Sequence, residues 1–86
     1  MPEEKFKESI SRLKRELQNI DPNDKEAREE LKELMALLEK KLQTPQKQHA
    51  ELLNVLNEKA VYFEEKHPVV SRVIEDLVGI LTRLGL

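Results

Sequence analysis

Phe6, Ile10, Leu13, Leu17 and Ile20 recur at alternating steps of four and three residues. That is the seam of a single helix; at 100° per residue it spans an arc of about 80°. Ala27, Leu31, Leu34, Met35, Leu38 and Leu42 form a second stripe, with Leu37 outside it, and its arc is about 100°. The next two stripes are broader. Leu53, Leu56, Ala60 and Phe63 are flanked by Leu52, Val55 and Tyr62, and Val70, Ile74, Leu77, Leu81 and Leu84 by Val69, Val73, Val78 and Ile80. Each covers about 180°. No stretch alternates with period two, so no sheet is expected.

Prolines punctuate these stripes. Each of the four stands where a helix can start, because the N–H that proline lacks has no partner at the first helical position. The predicted helices are about 3–20, 22–43, 45–67 and 68–84. Asp21-Pro22-Asn23-Asp24 offers an Asp cap, a proline at the first position and an acid two residues on. Thr44-Pro45 repeats the device, and Gly85 suits a left-handed residue after the last helix. The residue before a proline is pushed out of the α region, so Pro68 is expected to separate two helices. A single helix kinked at Pro68 is the competing arrangement. The connections are short, which favours antiparallel neighbours. The fold class is all-α: four amphipathic helices in an antiparallel helical bundle, one domain over residues 1–86.

The broad stripes of the third and fourth helices need more than one neighbour. A monomeric bundle with those helices central would meet the need, and so would two chains joined through their C-terminal halves. A homodimer is the expected arrangement, because each large side chain fully buried contributes about 1.5–3 kcal/mol. Its candidate contact residues are those that widen the stripes: Leu52, Val55, Tyr62, Val69, Val73 and Ile80.

At 86 residues the chain can bury only a modest core. Without cysteine it has neither disulfides nor thiolate metal sites to reinforce that core. Charged residues make up 37% of the chain, yet the net charge is −2 and the signs are interleaved. That argues against a strong nucleic-acid or anionic-membrane footprint. The start, Met1-Pro2-Glu3-Glu4-Lys5, has no apolar leader, and Arg72, Glu75, Asp76 and Arg83 interrupt the most apolar segment. A cytoplasmic protein with no membrane span is expected.

Candidate chemistry is sparse. Glu64 and His67 have the E-x-x-H spacing of di-iron bundles, but no facing glutamates complete a site, and no metal is expected. The plainer reading is an exposed Glu64 and a His67 packed at a helix junction. His49 sits on the third stripe, where a first-turn residue with a backbone or water partner is expected. Tyr62-Phe63 suits either a core or an interface. Gly79 lies mid-helix, where a close contact or an exposed site would explain it. Arg12, Lys14 and Arg15 form a small basic run broken by Glu8 and Glu16 on neighbouring turns. Ser9, Ser11 and Ser71 have no histidine beside them, and there is no Gly-rich phosphate loop. No catalytic residue, cofactor or substrate pocket is expected, and the protein is read as not an enzyme.

The opening Pro2-Glu3-Glu4-Lys5, the junction Phe63-Glu64-Glu65-Lys66-His67-Pro68 and the ending Leu84-Gly85-Leu86 resemble a bacterial family of small helical proteins of unknown function. That family has an F-E-x-x-H-P junction, and some members carry an automatic chromosome-partitioning label. The resemblance implies a cytosolic, bacterial protein and assigns no catalytic residues. The functional expectation is protein–protein interaction or structural assembly through an apolar face of the C-terminal helices. The alternative is a nucleic-acid-associated accessory protein using the first helix.

Overall fold

The computed structural model describes residues 2–43 and 50–83, and side chains at 4–41 and 51–83. It contains α1 (Pro2–Asn19), α2 (Lys25–Gln43), α3 (Ala50–Phe63) and α4 (Pro68–Arg83), with no strand among the described residues. The helices pack in a ring. α1 touches α2 and α4, α3 touches α2 and α4, and among the described residues the diagonal pairs make no close backbone approach. The assembly is 37 Å long and 20 × 18 Å across, so the helices lie side by side.

Side-chain contacts fix the antiparallel register. Arg12 reaches Asp76 at 3.5 Å between α1 and α4, and Lys14 reaches Glu39 at 3.3 Å between α1 and α2. Lys59 of α3 binds Glu30 of α2. The Ser71 hydroxyl of α4 donates to the Ala60 carbonyl of α3 at 2.7 Å.

Two boundaries differ from the sequence reading. α2 starts at Lys25, not at Pro22. Asp21-Pro22-Asn23-Asp24 is a turn in which the Asp24 N–H donates to the Asp21 carbonyl at 2.9 Å and the Asn23 N–H to Asp21 Oδ1 at 2.9 Å. Proline fits the second position of a turn as well as a first helical position. The cap is therefore Asp24, whose Oδ1 accepts the Ala27 N–H at 3.2 Å. α3 ends at Phe63 instead of running to His67. The chain reverses through Glu64–Lys66, where the Glu64 N–H bonds the Val61 carbonyl at 3.3 Å and the His67 N–H bonds that of Phe63 at 2.8 Å. His67 then precedes α4, its carbonyl accepting the Ser71 N–H at 3.1 Å. Pro68 thus opens a new helix and does not kink an old one. Thr44-Pro45, Leu84 and Gly85 lie outside the described residues.

One core runs through the ring. Leu13, Leu31, Leu34, Leu38, Leu56, Phe63, Val73, Ile74 and Leu77 are fully buried in it. Leu17, Leu52, Leu53, Val55, Val78 and Ile80 pack on its edge. The broad stripes of α3 and α4 are explained here. These two helices pack most closely on each other, and their flanks turn towards α2 and α1 respectively. Most of the apolar surface that suggested a second chain is covered within this one.

Candidate interaction surface

The six stripe-widening residues meet different fates. Val73 is 0% exposed, which corrects its expected place at an interface. It lies on the flank of α4 that carries Asp76, three residues on, and Asp76 pairs with Arg12 of α1. A ring of four helices gives α4 a second neighbour, and that neighbour covers Val73. Ile80, Leu52 and Val55 are partly buried against the core, while Tyr62 and Val69 are exposed at 39% and 49%. The outward faces of α3 and α4 are almost wholly polar: Asn54, Asn57 and Glu58 on one, Arg72, Glu75, Gly79 and Thr82 on the other, all exposed. Val61 of α3, 70% exposed, and Val69 of α4 are apolar residues beside them.

The α2–α3 flank is different. The antiparallel register set by Lys59 and Glu30 places Leu37 of α2 level with Leu52 and Val55 of α3, and Glu26 level with Tyr62. Leu37 is 42% exposed and is the large apolar side chain that lay outside the second stripe. Between the apolar ends, Lys59 bridges Glu30 and, at 3.8 Å, Glu33. The Lys59 side chain is mostly covered while that of Glu33 stays largely in solvent, so the bridge lies over the seam with one open side. Burial raises the Tyr62 hydroxyl pKa, and the nearby carboxylates of Glu26, Glu30 and Asp24 add to the rise. Tyr62 also meets Phe63 edge-on at 4.9 Å, which fixes its ring against the core.

At one end of the bundle the two described connections are tied together. His67 Nε2 lies 3.4 Å from Asp24 Oδ2, and its ring meets Phe63 at 5.9 Å. The Arg28 guanidinium donates at 3.2 Å to both the Leu17 and the Ile20 carbonyls, satisfying acceptors that end α1. Asp24 is held below the usual carboxylate pKa, chiefly by the Ala27 N–H. Burial opposes this, and His67 and Lys66 add to it. Glu64 and His67 do not share a helix face, because the helix has already ended. Among the described residues no group of three or more His, Cys, Asp or Glu side chains is placed to hold a metal. His49 lies outside them.

On the opposite side, α1 and α4 enclose an open groove of about 430 Å³, lined by Lys5, Glu8, Ser9, Arg12, Gly79 and Arg83 among others. It is shallow and carries both charge signs. Arg12 and Lys14, two of the three residues in the basic run, face Asp76 and Glu39. No described helix is long and apolar enough to cross a membrane.

Residues 6–86 match a family model described as a domain of unknown function, DUF4404. The chain belongs to this family. The DUF4404 match takes in α1 from Phe6 onward and the whole of α2, α3 and α4, and agrees with the resemblance to a family without an assigned activity. No curated protein and no solved structure matches the chain.

Proposed function

We propose that this DUF4404 protein is a non-enzymatic interaction module that binds a protein partner along the flank shared by α2 and α3. One observation carries the reading: on one flank Leu37 of α2 stands level with the partly buried Leu52 and Val55 of α3, and Tyr62 follows beyond the Lys59–Glu30–Glu33 bridge, Leu37 and Tyr62 being 42% and 39% exposed. A row of this kind suits a partner helix laid into the seam. The C-terminal helices contribute their α3 edge to this surface rather than their outward face, which is polar. The test is photo-crosslinking in extract of the source cell, with a benzophenone amino acid at Leu37 and a control at Arg72. A discrete protein adduct from position 37, absent from position 72, is expected. No adduct from position 37 overturns the reading.

A further inference from the structure

We infer that the partner segment on this flank is a basic amphipathic helix of another protein, its apolar stripe bordered on both sides by lysine or arginine. This rests on the interaction reading above and names the partner's chemistry. It follows from what surrounds the apolar row of Leu37, Leu52, Val55 and Tyr62. On α2, Glu26 and Glu33 are exposed and lie within about 40° of Leu37 at 100° per residue. On α3, Glu51 and Glu58 are exposed and lie within about 60° of both Val55 and Tyr62. Each pair is seven residues apart, about 10.5 Å along its helix. The register set by Lys59 and Glu30 staggers the two pairs: Glu58 falls between the levels of Glu26 and Glu33, and Glu51 beyond Glu33. The seam is an apolar row with carboxylates along both rims. A helix laid along it turns its two flanking strips towards those rims, and each strip meets acid.

The bases nearby do not change the sign. Lys59 lies within the seam, but its side chain is only 16% exposed and already serves Glu30 and Glu33. Lys40 and Lys41 stand past Leu37 at the end of α2, and each already has an interaction within the chain. Lys25 and Lys32 are exposed on α2 but stand about 120° or more away from Leu37. Glu29 adds an acid at the outer edge of the same helix. Lys66 lies in the turn beyond Tyr62, where it acts on Asp24. The Tyr62 hydroxyl registers the remaining field: after burial, Glu26, Glu30 and Asp24 raise its pKa. Rims of this sign repel nucleic acid and anionic lipid. A second copy of this chain does not fit them either. Among the described residues the other exposed large apolar side chains, Val61 and Val69, stand singly, so no helix turns outward an apolar stripe bordered by bases.

Fluorescence anisotropy of labelled peptides of about fifteen residues, roughly four helical turns, titrated with the full chain tests this. One peptide has a leucine stripe bordered by lysines. The second has the same stripe bordered by glutamates, and the third keeps the lysines but replaces the leucines with alanine. The first should bind at least about tenfold more tightly than either of the others, and more weakly as salt rises. Glu33→Lys with Glu58→Lys should reverse the preference between the first two, and Leu37→Asp should weaken the first about tenfold. All of these side chains are exposed, and thermal unfolding of each variant shows that it is folded. Equal binding of the first two peptides, or of the first and third, overturns the proposal. So does an unchanged preference in E33K/E58K, or no binding of the first peptide at all. A crosslinked adduct from position 37 at twice the mass of the chain overturns it in favour of a second copy. In each of these cases a protein adduct from position 37 leaves the interaction reading standing, whereas the lack of any adduct ends that reading itself.

Discussion

The hydroxyl of Ser71 in the first turn of α4 donates to the carbonyl oxygen of Ala60, one of the last four carbonyls of α3, at 2.7 Å. Ser71 is 4% exposed, so no water replaces it freely. Ser71→Ala leaves that carbonyl without its buried donor and should cost about 1–3 kcal/mol. Urea titration followed by circular dichroism measures it, and a change within error would show that the bond is idle.

Val73 and Val69 stand one turn apart on α4 but should respond oppositely to aspartate. Val73 is fully buried, so V73D places an unpaired charge in the core and should unfold the chain rather than separate two chains. Val69 is 49% exposed, and V69D should remain folded with a stability change near zero. Far-ultraviolet dichroism of the two variants checks both outcomes.

Gly79 sits inside α4 with no atom within 4 Å of where a Cβ would stand. Gly79→Ala relieves the backbone entropy of glycine without a clash, and should raise stability by about 0.5–1 kcal/mol. A fall in the thermal midpoint would mean that a helix approaches closely there.

Asp24 links pH to the end of the bundle. Its folded pKa is lowered from 3.8, chiefly by the Ala27 N–H. The stabilisation is therefore complete above the unfolded value and disappears as pH falls through the folded one. Asp24→Asn keeps a capping oxygen but removes the titration. Its thermal midpoint should fall less steeply than that of the wild type on acidification below about pH 4. Parallel curves for the two proteins would remove Asp24 from the acid response.

The four helices were legible because each apolar stripe holds its period through a whole element and the prolines mark the breaks. Their ends were not. Asp21 and Asp24 are both good caps, and only the turn hydrogen bonds decide between them. The broad stripes of α3 and α4 were read correctly as needing two neighbours. What periodicity could not say is that α1 and α2 stand close enough to be those neighbours, which is why Val73 was misplaced. Leu37 was visible as an apolar residue off its stripe, but its meaning waited on the register that sets it beside Leu52 and Val55. The pairs Lys59–Glu30 and His67–Asp24 join residues far apart in the chain, and local pattern carries no trace of them.

Because the sequence has no cysteine, a single introduced cysteine can be labelled alone. Leu37→Cys and Arg72→Cys, each carrying an environment-sensitive dye, report whether the α2–α3 flank or the outward face of α4 is covered when extract of the source cell is added. The α2–α3 reading predicts a blue-shifted emission from position 37 and an unchanged one from position 72. No shift from position 37, or equal shifts from both, would contradict it.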